Sequence, residues 1–92
     1  MIYELRFTPR AEEDLLAWKK AGQKTTLKKL IKLFSELQEH PRSGTGKPEQ
    51  LKGYDDELWS RRIDKKNRLI YSIHDEIIEI HVLQLKGHYN DK

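Results

Sequence analysis

Residues 58–74, LWSRRIDKKNRLIYSIH, contain two runs of alternating side chains on either side of a short polar turn, which predicts an antiparallel hairpin. Alternation places the bulky residues of both runs on one face: Trp59, Arg61, Ile63, Leu69, Tyr71 and Ile73. If that face packs on the rest of the protein, Trp59 pairs with Tyr71, Arg62 pairs with Arg68, and the turn encloses an odd number of residues. Two guanidinium groups then lie opposite each other on the uncovered face, an arrangement that destabilises a sheet but suits an anion-binding site.

Two helices are predicted before this hairpin, after an N-terminal strand. Residues 2–7 alternate as a half-buried strand, and Thr8 and Pro9 then provide an N-cap and a first helical residue. Gly22 ends the first helix. Its apolar stripe consists of Ala11, Leu15 and Trp18. The second helix is expected over residues 25–39, and its apolar face consists of Leu27, Leu30, Ile31, Phe34 and Leu37.

The pattern after the second helix is that of strands. We expect a short strand near residues 50–52 and longer ones over residues 58–63, 68–74 and 77–85. The order β-α-α-β-β-β-β predicts an α+β fold, in which a twisted antiparallel sheet carries the helical hairpin on one face. With 92 residues the chain is expected to form a single domain over residues 1–92, with the second face of its sheet left open.

The composition narrows the class of protein. The chain has no cysteine, which excludes disulfides, thiolate metal sites and a cysteine nucleophile. No membrane-length apolar run occurs, so we expect a soluble, cytoplasmic protein with no membrane partner. The 18 Lys and Arg residues exceed the 15 Asp and Glu residues, and the excess lies within residues 1–48, which favours a polyanionic partner. The lysines there are equally consistent with a solvated helix surface.

Four short motifs carry a resemblance to a known family. They are GKPEQLK at residues 46–52, WSRRI at 59–63, RLIY at 68–71 and His88-Tyr89. In this order and at this spacing, the chain resembles the YoeB (Txe) branch of the RelE/ParE toxin superfamily of type II toxin–antitoxin systems. The resemblance implies a microbial-ribonuclease fold and a toxin that cleaves mRNA in the ribosomal A site, inhibits translation and is silenced by a cognate antitoxin protein.

The resemblance also implies a role for individual residues. Glu49 would be the general base, Arg68 the main phosphate-stabilising cation and His88 the general acid of a metal-independent cleavage with a 2′,3′-cyclic phosphate product. The residues expected to bind RNA or phosphate are Lys47, Lys52, Arg62 and Tyr89. No metal or cofactor is expected, and the expected partners are the antitoxin, the bacterial ribosome with its rRNA, and mRNA. Self-association into a homodimer stays open.

Each assignment has an alternative. Glu49 could be an exposed loop carboxylate tethered to Lys47 or Lys52, and Lys52 and Arg62 could be solvated strand ends. Trp59 is interpreted as a core residue. Three further histidines are interpreted as structural because their spacing gathers no metal site: His40, His74 and His81. At the level of the whole chain, the alternatives are a gyrase poison with the same fold and an inactive relative that binds only RNA or antitoxin.

Overall fold

The computed structural model describes residues 2–88 of the chain. Its strands are β1 (Glu4–Phe7), β2 (Glu49–Leu51), β3 (Glu57–Arg62), β4 (Arg68–His74) and β5 (Glu79–Gln84). Its helices are α1 (Pro9–Ala21) and α2 (Lys24–Glu39), and a single 3₁₀ turn covers Asp75–Ile77. All the elements expected from the sequence are present, in the expected order.

The strands form one sheet in the order β1-β5-β4-β3-β2. Neighbouring strands from β2 to β5 are antiparallel, but β1 lies parallel to β5, with Glu4 opposite Glu79 and Phe7 opposite Val82. The α+β prediction is confirmed, and the expected antiparallel sheet is corrected to a mixed one. A tight hairpin forces its strands to be antiparallel, whereas β1 is joined to no neighbour by a hairpin, so its direction is unconstrained by a turn.

Local sequence signals set the ends of α1. The Thr8 hydroxyl accepts a hydrogen bond from the Ala11 N–H at 3.1 Å, and Pro9 occupies the first turn, where its missing N–H has no cost. Gly22 ends the helix in the left-handed region, with φ 69°, and donates to the Lys19 carbonyl at 3.2 Å. The predicted start and end of this helix are confirmed.

The core lies between the helices and one face of the sheet. Its fully buried residues include Leu30, Leu33 and Leu37 of α2 and Leu69, Tyr71, Ile80 and Val82 of the central strands. Ile31, which was expected on the apolar face of α2, is 68% exposed. The buried stripe runs through Leu33 instead, because residues at i, i+3 and i+7 from Leu30 share one face of a helix. Within residues 2–88, neither helix is long and apolar enough to cross a membrane.

The two hairpins after β2 differ in regularity. Between β3 and β4 the predicted pairing is confirmed: Trp59 lies opposite Tyr71, and Arg62 lies opposite Arg68. Between β4 and β5 the expected antiparallel hairpin is also present, but its connection is longer than expected, because a 3₁₀ turn intervenes and Ile78 adopts the left-handed region with φ 56°. The last strand consequently begins at Glu79, two positions later than expected.

Candidate active site

One end of the sheet face opposite the helices collects three of the expected site residues. Glu49 is the first residue of β2 and lies opposite Ser60, which shares β3 with Arg62. Arg62 lies opposite Arg68, the first residue of β4. Paired residues share a face, and so do alternate residues of one strand. Glu49, Arg62 and Arg68 therefore project from the same side of the sheet, where β3 ends and β4 begins.

The β3–β4 turn fixes the side chain of Arg68. Its Nη1 donates to the carbonyls of Asp64, Lys65 and Asn67 at 2.9, 3.3 and 3.2 Å. Burial acts to raise the pKa of Asp64, but hydrogen bonds from Asn67 and from backbone N–H groups, with the charge of Arg68, bring it below its ordinary value. The guanidinium of Arg68 is thus drawn toward its own turn, which relieves repulsion with Arg62.

His88 leaves the sheet beside Arg68. The backbone N–H of Arg68 donates to the Gly87 carbonyl at 3.0 Å, and the Gly87 N–H donates to Asn67 Oδ1 at 2.8 Å. His88 directly follows Gly87 and is exposed. The expected acid and the expected phosphate-binding arginine are therefore brought to the same end of the sheet, although the sequence separates them by most of two strands.

The remaining expected site residues flank Glu49. Lys47 and Lys52 are exposed on either side of it, and Lys47 adopts the left-handed region, with φ 52°. Over the described residues, Glu49 forms no ion pair with either lysine, so the tethered-carboxylate alternative is not seen. Tyr89 lies outside the described residues.

Arg61 is a residue whose importance was not predicted. Alternation placed it on the packed face, and there it is fully buried. Its guanidinium donates to Glu36 Oε1 at 2.7 Å, to the carbonyls of His40 and Ser43 at 2.7 Å each, and to the carbonyl of Thr45 at 3.2 Å. A buried charge requires partners of this kind, so an arginine at a core position was the signal that could have identified it.

These bonds fix the loop of residues 40–46, which leads into Glu49. The carboxylate of Glu36 accepts from the Thr45 backbone N–H at 2.8 Å and from the Thr45 hydroxyl at 2.7 Å. The Gly46 carbonyl accepts from the Arg62 N–H at 2.7 Å. Burial acts to raise the pKa of Glu36, but the hydrogen bonds from Thr45 and Arg61 outweigh it and lower that pKa. The loop is thus held from the helix side and from the sheet.

A second polar network ties the same loop to the opposite end of β3. Arg42 donates to both carboxylate oxygens of Glu57, at 2.8 and 2.9 Å, and to Asp75 at 2.8 Å. Asp75 also accepts from the Tyr3 hydroxyl at 2.6 Å. The hydrogen bonds from Arg42 lower the pKa of Glu57. Trp59, which was expected in the core, is only partly buried and packs against the core from outside. Its Nε1 donates to Glu57 at 2.8 Å.

The three histidines interpreted as structural lie away from the site. His40 ends α2, and its carbonyl accepts from Arg61. His74 and His81 contact each other on the sheet face opposite the helices, with ring centroids 4.1 Å apart. Their other partners are Ser72 and Glu79, at 2.8 and 2.9 Å respectively.

Comparison with known proteins identifies the family to which this site belongs. Residues 7–89 match the model of the YoeB-like toxins of bacterial type II toxin–antitoxin systems. The chain belongs to this family. Toxin YoeB of Mycobacterium bovis is 42% identical over 85 residues, which cover 92% of this chain and 96% of that protein.

Solved structures agree with the family and with the fold. A YoeB/ParE toxin from Agrobacterium tumefaciens gives a TM-score of 0.85 at 30% identity, covering 94% of this chain and 99% of that one. YoeB from Staphylococcus aureus, solved as a dimer, gives 0.82 at 31% identity, with 97% and 100% coverage. Its complex with YefM gives 0.78 at the same identity and coverage. The protein is thus a toxin of the YoeB type on a fold shared across that family.

Proposed function

We propose that this toxin is a ribosome-dependent endoribonuclease that cleaves mRNA in the A site by acid–base chemistry without a metal. The observation that supports this most directly is the shared position of Glu49, Arg62 and Arg68 at one end of the sheet face opposite the helices, beside the exit of His88. A carboxylate, two guanidinium groups and an imidazole are the groups that transesterification of RNA requires.

Glu49 acts first in this mechanism, as the base. It accepts the proton of the ribose 2′-hydroxyl, and the freed 2′-oxygen attacks the adjacent phosphorus. Glu49 is exposed and free of ion pairs to other described residues, so its carboxylate is open to a substrate.

Arg62 and Arg68 hold the phosphate while its negative charge grows. They lie opposite each other across β3 and β4, so a phosphate bound beside them can accept hydrogen bonds from both guanidinium groups. Lys47 and Lys52, exposed beside Glu49, contact neighbouring phosphates of the message.

His88 completes the reaction as the acid. The bond between phosphorus and the 5′-oxygen breaks, and His88 gives its proton to the departing oxygen. The products are a 2′,3′-cyclic phosphate on one fragment and a 5′-hydroxyl on the other. Tyr89 is proposed to position the base next to the scissile bond.

In this mechanism the ribosome orients the RNA for cleavage. A carboxylate is a weak base, so the reaction depends on accurate placement of the 2′-hydroxyl. Orientation alone can contribute several kcal/mol, and the A site holds the codon in a defined geometry. Free RNA is therefore expected to be cleaved far more slowly than RNA on the ribosome. Because ribosomes occupy the cytoplasm, we place the protein there.

The test is primer extension on an mRNA in a reconstituted bacterial translation reaction containing EDTA-treated toxin. Wild type is compared with Glu49→Gln and His88→Gln, beside the same RNA without ribosomes. We expect ribosome-dependent cuts that weaken by roughly a hundredfold in both variants. End-group analysis of the fragments should find the cyclic phosphate.

Two matched variants control for general damage. Glu76→Gln removes an exposed carboxylate from the 3₁₀ turn, and His40→Gln removes the exposed imidazole that follows α2. Both should cut like wild type. A wild-type protein that leaves the message intact would overturn the nuclease proposal, and gyrase inhibition would be assayed next.

We further propose that a cognate antitoxin silences this site. The S. aureus relative has been solved in complex with YefM, and an antitoxin segment that is disordered when free can wrap a cationic face. Binding either covers Arg62 and Arg68 or displaces the segment that carries His88 and Tyr89. Hydrogen exchange with the co-expressed antitoxin should change in residues 80–90 and in β3 and β4: it slows where the antitoxin covers the face and speeds up where the segment is displaced. Unchanged exchange there would contradict this model.

The oligomeric state is a separate question. The S. aureus relative was also solved as a dimer, and we propose that the free toxin of this chain forms a homodimer. Light scattering across a dilution series should give the mass of two chains. A constant mass of one chain would exclude the dimer.

A further inference from the structure

The segment that precedes His88 is bound by one face of α1. Asp14 is buried, and its Oδ2 accepts from the backbone N–H groups of Leu85 and Lys86 at 2.9 and 3.2 Å. Trp18 Nε1 donates to the Leu85 carbonyl at 2.8 Å. A helix end or strand end ordinarily satisfies such groups with backbone or water, whereas here helix side chains do so.

Arg10 completes this set of contacts. Its Nε donates to both carboxylate oxygens of Asp14, at 3.1 and 3.0 Å, and its Nη2 donates to the Lys86 carbonyl at 3.0 Å. Arg10, Asp14 and Trp18 are each four residues apart, so they line one side of α1. Together they engage the N–H and carbonyl of Leu85 and of Lys86.

The sheet holds the next residue from the other side. Gly87 donates to Asn67 Oδ1 at 2.8 Å and accepts from the Arg68 N–H at 3.0 Å. Asn67 is itself fixed by the carboxylate of Asp64, which accepts from its Nδ2 at 3.0 and 3.1 Å. The chain therefore approaches His88 through two residues fixed by α1 and one fixed by the β3–β4 turn.

We propose that Asp14 is a positioning residue for the acid of the cleavage reaction. It does not touch the substrate; it holds residues 85 and 86 so that His88 emerges beside Arg68. This inference rests on the proposed function, in which His88 protonates the leaving 5′-oxygen. Loss of the carboxylate frees two backbone N–H groups and the guanidinium of Arg10, and a displacement of about 1 Å at a reacting group can cost roughly a hundredfold in rate.

A purely structural role for Asp14 predicts a different outcome from a positioning role. A structural defect slows every step of the reaction, whereas a displaced acid slows only the breaking of the bond to the 5′-oxygen. An RNA with sulfur in place of that bridging oxygen separates the two, because the sulfur departs as a thiolate and needs no proton. The 2′-hydroxyl, the base and the phosphate contacts are unchanged in this substrate.

The experiment measures single-turnover cleavage on the ribosome with matched oxygen and sulfur substrates. The sulfur is placed at the bond that the wild-type protein cuts in the primer-extension assay. The variants are Asp14→Ala, Asp14→Asn, His88→Gln, the double variant Asp14→Ala with His88→Gln, and the control Glu13→Ala, which removes an exposed carboxylate from the same helix. Thermal unfolding confirms that each full-length variant is folded at the assay temperature.

We expect Asp14→Ala to cleave the oxygen substrate roughly ten- to a hundredfold more slowly than wild type and the sulfur substrate at nearly the wild-type rate. Asp14→Asn keeps one oxygen acceptor, so its rate on the oxygen substrate should lie between those of wild type and Asp14→Ala. In the His88→Gln background, Asp14→Ala should add little to the defect, because residues that act through one step are not additive. Glu13→Ala should match wild type on both substrates.

The two assignments fail in distinguishable ways. If His88→Gln is rescued by sulfur but the Asp14 variants stay slow on both substrates, the positioning role is overturned and the acid assignment stands. If sulfur rescues neither, His88 is not the acid, and Asp14 cannot position it. If Asp14→Ala cleaves the oxygen substrate like wild type, the positioning role is again overturned.

Discussion

The guanidinium of Arg61 and the carboxylate of Glu36 meet at 2.7 Å beneath the loop that leads to Glu49. Arg61 is fully buried, and the side chain of Glu36 is 22% exposed. Each partner also binds the loop, Arg61 through carbonyls and Glu36 through Thr45. This ion pair therefore joins α2, β3 and the loop, and it determines where the chain enters β2.

Substitution of two adjacent arginines should affect different properties: Arg61→Met the stability and Arg62→Met the activity. Arg61→Met leaves Glu36 and three carbonyls without their donor, and breaking a buried pair in this way costs about 3–5 kcal/mol. Arg62→Met removes an exposed charge that opposes Arg68, so the free energy of unfolding should change by less than about 0.5 kcal/mol. Urea unfolding gives the stability, and ribosomal cleavage should fall by roughly tenfold or more for Arg62→Met.

The contrast between these two variants is what is tested. Equal loss of stability in both would show that Arg61 is not the point on which the loop depends. Full cleavage by Arg62→Met would show that this arginine is only a solvated strand end, the alternative already raised by the sequence.

Alternation was enough to predict the part of the site built on β3 and β4. It placed Arg62 opposite Arg68 because side chains alternate with a period of two, and a shift by one residue would have exposed the apolar set. The two ends of α1 were predicted from Thr8, Pro9 and Gly22, for equally local reasons. The role assigned to Glu49 came from the family motif, since the residue has no local feature that marks it as a base.

The features that could not be predicted depend on contacts distant in sequence. Alternation shows which face a strand buries but not which neighbour it takes, so the parallel pairing of β1 with β5 was missed. Asp14 binds Leu85 and Lys86, at the other end of the chain, and no local pattern predicts that contact. The sequence likewise gave no indication that Arg61 would bind residues 40–45.

Acid should weaken the Glu36–Arg61 pair in a predictable direction. The folded pKa of Glu36 is lowered from 4.5, because the hydrogen bonds from Thr45 and Arg61 outweigh the opposing effect of burial. A carboxyl with a lowered folded pKa stabilises the protein above its unfolded pKa, and this contribution is lost as the pH falls through the folded value. Glu36→Gln should therefore lose less of its free energy of unfolding than wild type below pH 4.5.

The difference between the two proteins isolates Glu36 from other carboxylates. Asp64, Glu57 and Asp75 also have lowered pKa values and weaken both proteins alike in acid. Urea unfolding across the acid range gives both curves, and parallel curves would show that Glu36 is not ionically coupled to the fold.

Two glycines with similar backbone angles should differ in their tolerance of alanine. Gly46 has φ 86°, and a Cβ there would lie 2.9 Å from the Arg62 carbonyl oxygen. Gly53 has φ 90°, but nothing lies within 4 Å of its Cβ position. Both changes carry a backbone cost of about 1–2 kcal/mol, and Gly46→Ala adds a clash with backbone that cannot move aside. Urea unfolding should show the larger loss of unfolding free energy for Gly46→Ala. Equal losses would mean that the loop around Gly46 shifts to accommodate the added methyl group.

Charge alone should not replace the arginine that begins β4. The guanidinium of Arg68 reaches three carbonyls of its own turn through Nη1 and so presents its remaining donors in a fixed orientation, which a lysine cannot reproduce. Arg68→Lys keeps the positive charge and should lower single-turnover cleavage by roughly a hundredfold, the cost of losing one aimed donor. Lys65→Arg, at an exposed position in the same turn, is the matched control and should cleave like wild type. Wild-type cleavage by Arg68→Lys would mean that the phosphate requires a cation here but not the geometry of a guanidinium.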